Sequence, residues 1–285
     1  MNLVGLRDLL SLTKPRVTIL VAATTLVGLL LAPKRPGLMV TLLALIGTFA
    51  VVGAANALNC WMERDLDGEM ARTRTRPLPS GRLSPRVALV FGIGLGVGSL
   101  LLLGATTNLV TALLALIALA AYVVAYTPLK QRSPMALLVG AVPGAIPPLM
   151  GWTAATGQIE VPGLILLAIV FLWQVPHFVA IGVLHLDDYA RAGYRTLPVV
   201  FGPQAAFWVA SLATAALVPA SLALAPAVGL GASYVALALV LGIGFLAACG
   251  GCIHRSRDRR AVRRLLLSSL AYLPLLFVAV GVGRA

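Results

Sequence analysis

The sequence predicts an all-α protein, a polytopic membrane bundle of nine transmembrane helices with a cytoplasmic N-terminus. Three observations predict it. Of the 285 residues 60% are hydrophobic and 11% charged, for a mean hydropathy of +0.97. A water-soluble domain of that length cannot hide so much apolar surface, so lipid is the solvent for most of it. A window of about 19 residues resolves nine apolar stretches. Threaded through them, the chain puts 19 of its 22 lysines and arginines on one side, the bias that marks a cytoplasmic face.

In chain order the stretches run over residues 17–32, 38–58, 87–104, 109–126, 135–153, 163–182, 203–223, 232–252 and 265–282. Each must be helical, because in hydrocarbon only a helix pairs all of its own backbone groups. The first is short, and the fifth is broken by Pro143, Pro147 and Pro148. Glycines at packing spacing (Gly92 and Gly96, Gly94 and Gly98, Gly140 and Gly144) let helix backbones approach closely. Only Lys34, Arg35 and Arg284 fall in outer segments. The Arg255–Arg264 run reads as a topology and anionic-lipid feature, which explains the net charge of +13 without nucleic acid. Three cysteines offer no disulfide framework. The opening residues, MNLVGLRDLLSLTKPR, read as neither a cleaved signal nor a transit segment. One domain over residues 1–285, in a bacterial or archaeal plasma membrane, is expected.

The acids are few and gathered. Of nine, Glu63, Asp65, Asp67 and Glu69 share one inner segment and Asp187 and Asp188 another, leaving Asp8, Glu160 and Asp258 scattered. Asn59, Glu63 and Asp67 recur every four residues and form one stripe on a helix, rising about 6 Å per step. This polar stripe is expected at the inner membrane face, outside the packed bundle. Oxygen ligands followed by arginines suit magnesium bridging to a phosphorylated substrate, since the ion takes one or two carboxylates and completes its shell with water and phosphate oxygens. Arg72 and Arg76 are again four apart, and guanidinium forks match phosphate geometry. The competing reading is a charge network in which Glu and Arg neutralise each other. The second cluster, His185-Leu-Asp187-Asp188-Tyr189-Ala-Arg191, could face the first across the bundle, although an Asp-Asp pair opening a loop is often only a helix cap.

Asn59-x3-Glu63-x3-Asp67, with Met70, Arg72-Thr73 and Arg76-Pro77-Leu78, resembles the first signature of UbiA-type prenyltransferases. Its central Glu is the form of the heme O synthase branch. Leu12-Thr-Lys14-Pro15-Arg16, Tyr126-Thr-Pro-Leu-Lys130, Gly144-Ala-Ile-Pro147-Pro148-Leu-Met-Gly151-Trp152 and Trp173-Gln174-Val-Pro176-His177-Phe178 resemble that branch too. The likeness runs through residues 12–202 in order. Two features depart from it: no Asp lies four residues from Asp188, and Gly193-Tyr-Arg195-Thr196-Leu-Pro198 is closer to quinone-type members.

The resemblance implies transfer of a farnesyl group from farnesyl diphosphate to a vinyl group of heme b at a cytoplasmic active site. It implies that Glu63, Asp67 and Asp188, helped by Asn59, hold magnesium against the diphosphate. Arg72, Arg76 and Lys130 would take up the charge that builds as the C1–oxygen bond breaks. Tyr122 and Tyr126 could line the tail or face the cation, or be ordinary interfacial tyrosines. His177 is the candidate for the porphyrin, as an intramembrane ionisable group and a ready iron ligand; the alternative is a histidine hydrogen-bonded to a neighbouring helix. His185 is a weaker candidate. Cys249 and Cys252 have redox spacing but read as packing, and nothing in the spacing of Cys60 assigns it a role. The lipid bilayer is a partner in any case, and the resemblance admits heme-biosynthesis or oxidase-assembly proteins. An aromatic quinone precursor is the rival acceptor. A secondary transporter is the rival class, weakly allowed by the broken fifth span.

Overall fold

A computed structural model describes residues 3–283; Arg284, counted above among the outer cations, lies outside the described residues. Every regular element among them is helical. In order these are α1 (Leu3–Leu12), α2 (Pro15–Leu31), α3 (Leu38–Met62), α4 (Arg64–Glu69), α5 (Pro85–Thr106) and α6 (Leu109–Ala120). A π-helical turn (Ala121–Tyr126) and α7 (Thr127–Leu129) continue α6 as one span. Then come α8 (Ala136–Thr156), α9 (Val161–Leu184), α10 (Leu186–Arg191), α11 (Leu197–Val228), α12 (Ala232–His254) and α13 (Arg259–Gly283).

Eight of these spans are long and apolar enough to cross a membrane; the count reaches nine when α1 and α2, bent by 48°, are taken as one. The all-α bundle of membrane-length helices expected from sequence is therefore present, and the short first stretch has its explanation: α2 is only the straight part of a bent pair. Large apolar side chains such as Leu38, Val124 and Leu212 are left on the outside, as lipid-facing positions must be.

Chain contacts divide the protein into two compact units. The first comprises Met1–Leu129 and Val142–Ile159. Within it α3 packs on α2 and α5, and α5 on α6. The second comprises Lys130–Ala141 and Glu160–Ala285, with α9 against α11 and α13, and α12 against both of those.

Two details show how the bundle tolerates its breakers. The span holding Pro143, Pro147 and Pro148 has 72% of its apolar window buried, against 17% for Leu109–Leu129. The helix is continuous over Ala136–Thr156, not broken as its sequence suggested; prolines still leave helix carbonyls unpaired, and lipid cannot satisfy them, so this helix has to be the protein-covered one. In the first unit α2 meets α8 nearly backbone to backbone. A Cβ on Gly28 would stand 2.0 Å from the Pro148 carbonyl oxygen, and one on Gly151 equally close to that of Thr25. Of the pairs singled out in the sequence, Gly92 and Gly96 meet Leu58 and Leu119, whereas Gly94 and Gly98 face open space.

Candidate functional site

The acidic stripe is real, but it does not lie on one helix. α3 ends at Met62, Glu63 is the hinge (φ −92°, ψ 6°), and Asp67 sits in α4. The stripe survives because the backbone bonds four residues apart continue through the hinge: Glu63 N–H donates to the Asn59 carbonyl at 2.9 Å and Asp67 N–H to that of Glu63 at 2.8 Å. The residues are also not on a solvated face, as the sequence led us to expect. Asn59, Glu63 and Asp67 are buried, at 1, 4 and 2% exposure. Asp67 is covered by the segment after α4. Leu78 and Leu83 from that segment join Leu9, Leu12, Ala57, Cys60 and Ala88 in one apolar cluster. The Thr73 hydroxyl closes the turn onto the Asp67 carbonyl at 2.7 Å.

Arg76 Nη1 donates to Asp67 Oδ2 at 2.7 Å. Burial, the largest influence on Arg76, opposes its charge; Asp67, by attraction and by hydrogen bond, outweighs burial with smaller help from Cys60 and Glu63, and holds the guanidinium above its ordinary pKa. Arg72 is exposed. The two arginines expected at phosphate spacing are thus split, one tied to the carboxylates and one in solvent.

Asn59 is held at both ends. Its amide nitrogen donates to Thr127 Oγ1 at 3.2 Å, and that hydroxyl donates on to the Tyr122 carbonyl at 2.8 Å. The π-helical turn makes this possible, and such turns recur at functional sites. Tyr122 and Tyr126 flank it with ring centroids 5.0 Å apart. Asn59 Oδ1 accepts from Lys14 Nζ at 3.2 Å. Lys14 sits at the bend between α1 and α2 in the left-handed region (φ 49°, ψ 62°) and is the one non-glycine residue with positive φ among those described. Such a conformation costs about 1–3 kcal/mol and persists only when its surroundings enforce it. Sequence reasoning quoted the segments that hold Lys14 and Thr127 but gave neither residue a role; a cation immediately before an apolar span was the available signal for the first.

In the second unit, Asp188 lies in α10 and accepts from Arg191 Nη2 at 2.6 Å. The N-cap of α10 is His185, and Asp187 and Asp188 stand in its first turn, where negative charge favours a helix start. Lys130 is brought to the same loop: its carbonyl accepts from Arg195 N–H at 2.9 Å, and its ammonium lies 5.6 Å from the centroid of the Tyr194 ring. His177 Nδ1 is 2.8 Å from Ser269 Oγ on α13, and its ring stacks on Trp173 at 4.9 Å. Trp173 Nε1 donates to the Ser269 carbonyl at 2.7 Å, and Gln174 Nε2 to those of Ala141 and Val170. The Trp-Gln-x-Pro-His-Phe segment therefore fastens α9 to its neighbours. It also fixes the imidazole through Nδ1, the arrangement that orients Nε2 in histidine ligands. Cys249 and Cys252 are buried free thiols in α12, with Ser211 Oγ 3.6 Å from the Cys249 sulfur.

A divalent cation fits the first unit's donor set. Glu63 and Asp67 are two buried carboxylates one helical turn apart. Among the described residues no three His, Cys, Asp or Glu side chains form a ligand group. Two carboxylates, with the remaining positions for water and phosphate oxygens, is what magnesium takes when it binds together with a phosphorylated substrate.

Comparisons with known proteins place the chain in a family. The model of the UbiA prenyltransferase family matches residues 21–272. A protein named protoheme IX farnesyltransferase in Anaeromyxobacter sp. (strain Fw109-5) is 51% identical over 278 residues, covering 97% of this chain and 93% of the relative. Among solved structures, one described for digeranylgeranylglyceryl phosphate synthase in membranes superposes with a TM-score of 0.83 at 18% identity, covering 98% of each chain. A UbiA homolog from Archaeoglobus fulgidus bound to GPP and Mg2+ gives 0.73 at 16% identity, covering 96% of this chain and 99% of that one. At such identities the structures show the fold alone.

Proposed function

We propose, for a chain that belongs to the UbiA prenyltransferase family, that it transfers a farnesyl group from farnesyl diphosphate to a vinyl group of heme b. The observation that carries the reaction class to particular residues is the buried ladder of Asn59, Glu63 and Asp67 with Arg76 upon it. The acceptor comes from the name of the 51% identical relative. The heme O product and a single prenyltransferase domain over residues 1–285 belong to the same reading.

In this reading Glu63 and Asp67 would hold magnesium, which when bound supplies Lewis-acid neutralisation of the diphosphate. The chain's own residues do the rest. Asn59, pinned between Lys14 and Thr127, keeps the carboxylate ladder in register. Arg76, with Arg72, receives the charge that collects on diphosphate as the C1–oxygen bond breaks and the electron pair leaves with oxygen. The vinyl carbon then bonds to C1. Water adds to the carbocation this leaves beside the porphyrin, and one proton is released. Tyr126 borders the path of the prenyl tail, and apolar helices keep other water from the cation. His177, oriented by Ser269, is assigned to the iron. The active site faces the cytoplasm of a bacterial or archaeal plasma membrane, on the same side as the N-terminus.

The test is reconstitution of the purified chain with heme b, farnesyl diphosphate and magnesium, with mass spectrometry of the extracted heme. The expected product is heme b enlarged by a farnesyl group and one hydroxyl group, lost when magnesium is chelated. Unchanged heme beside a prenylated aromatic acceptor in a parallel reaction would transfer the assignment to the quinone-precursor reading.

A further inference from the structure

The bend between α1 and α2 leaves one carbonyl outside the helical ladder. Pro15 opens α2, so helical backbone is disfavoured at Lys14 before it. Lys14 N–H closes α1 on the Ser11 carbonyl at 3.1 Å, and Val17 N–H opens α2 on the Lys14 carbonyl at 3.0 Å. In an unbroken helix Val17 would serve the Thr13 carbonyl instead. That carbonyl belongs to the peptide group about which φ of Lys14 is set, and Thr13 is buried. Left dry, such a group costs free energy comparable to a lost hydrogen bond. Side chains take it over. Thr18 Oγ1 donates to it at 2.6 Å and Asn56 Nδ2 at 3.4 Å, and Asn56 Nδ2 also reaches Thr18 Oγ1 at 3.3 Å. Asn56 and Thr18 are both buried.

We propose that Asn56 is a positioning residue for prenyl transfer: it holds the left-handed turn at Lys14 so that the ammonium meets Asn59 at the head of the carboxylate ladder. The placement on α3 carries this. Gly53, Asn56 and Asn59 follow at intervals of three, which puts them on one helix face, and all three meet the bend. A Cβ on Gly53 would stand 3.2 Å from Thr13 Cβ, so glycine is what lets the bend come close. Asn56 then grips the Thr13 carbonyl, and Asn59 Oδ1 accepts from Lys14 Nζ at 3.2 Å. One face of α3 thus sets both the backbone of Lys14 and the end of its side chain. A strained turn persists only where its surroundings enforce it, and Asn56 with Thr18 supplies that enforcement. The bend itself gave no sign of this in the sequence, because Asn56 lies 43 residues from Thr13.

The proposal rests on the farnesyl-transfer reading, and its test separates the two. The full chain in detergent is compared with Asn56→Leu, which nearly keeps the volume and removes the donor, and with Thr18→Val, which removes the other donor to the same carbonyl. The first readout needs no activity: acylation of Lys14 by an amine reagent, followed by mass spectrometry with exposed Lys34 as the internal reference. Release of the turn should raise the Lys14-to-Lys34 rate ratio about fivefold, the scale of one hydrogen bond. The second readout is farnesyl transfer to heme b. In both variants kcat and kcat/KM should fall together by about tenfold, the pattern of a contact needed in the transition state. In a Lys14→Met background Asn56→Leu should cost nothing further, since the two residues act through one contact. Should Asn56→Leu fail to fold, Thr18→Val carries both readouts. Losses that multiply in the double variant, or a wild-type labelling ratio in the single variants, overturn the proposal and leave Asn56 as packing. If the wild type makes no farnesylated heme, the reaction reading falls, and the labelling ratio still decides whether Asn56 holds Lys14.

Discussion

Asp67 and Arg76 give the sharpest separation of chemistry from folding. The pair is 2.7 Å apart, with Asp67 at 2% exposure and Arg76 at 30%. Removing one member of a buried pair costs about 3–5 kcal/mol because the other is left charged and dry, but the two members are not equally dry. In Asp67→Asn the stranded group is Arg76, which water partly reaches, and the new amide oxygen still accepts its hydrogen bond. That variant should lose only about 1–2 kcal/mol, near the worth of one hydrogen bond to a charged group. In Arg76→Met the stranded group is the fully buried carboxylate, and the loss should approach 3–5 kcal/mol. Adding Asp67→Asn to Arg76→Met removes that stranded charge and should restore about 2 kcal/mol, a non-additivity expected of groups in contact. Turnover should follow a different order. Asp67→Asn deletes a proposed metal ligand and should slow product formation by about 10²–10³-fold, the scale of losing one preorganised electrostatic contact. Thermal unfolding in detergent and mass-spectrometric turnover, run on all three variants, decide the matter. Asp67→Asn with turnover within threefold of wild type refutes the metal assignment. A double variant no more stable than Arg76→Met refutes the pairing argument.

Gly28→Ala should destabilise by about 1–3 kcal/mol, the usual overpacking cost, because the atoms its Cβ meets, the Pro148 carbonyl and the Trp152 amide, are backbone and cannot rotate away. Gly94→Ala, whose Cβ meets nothing within 4 Å, should instead be neutral or gain up to about 1 kcal/mol from helix propensity. Cysteines placed at exposed Ser80 and Gln158 should react with impermeant reagents from opposite sides, Ser80 from the cytoplasm; the reverse pattern would invert the topology. His177→Ala should change heme binding or its absorption spectrum and leave binding of a non-hydrolysable farnesyl diphosphate analogue within twofold. The opposite result would return His177 to a purely packing role alongside Trp173 and Ser269.

Spans were legible because a membrane asks for a single property over about 20 residues, and that property can be summed along a chain. The acid ladder was legible for a similar reason: the period of four survived the break at Glu63, since the helical hydrogen bonds continue across it. Its burial was not. Nothing local to Glu63 or Asp67 announces that Leu78 and Leu83, many residues on, anchor a covering segment into the same cluster as Leu9 and Leu12. Glycine spacing failed for the same reason. Gly92 and Gly96 share their pattern with Gly94 and Gly98, and only the partner helix decides which face is packed.

Lys14 is the instructive case. Read forward, Thr13-Lys14-Pro15 looks like an ordinary helix start, because proline is favoured in the first helical turn. A left-handed turn normally announces itself with glycine or asparagine, and lysine conceals it. Natural sequences agree with their folds at every local level except where something else has been selected, and here the disagreement falls on the residue that donates to Asn59. Had the bend served only to join α1 to α2, glycine would have made it at lower cost. Keeping lysine there means that the ammonium is worth more than the strain, and the structure shows where it acts: on Asn59 Oδ1, at the head of the carboxylate ladder.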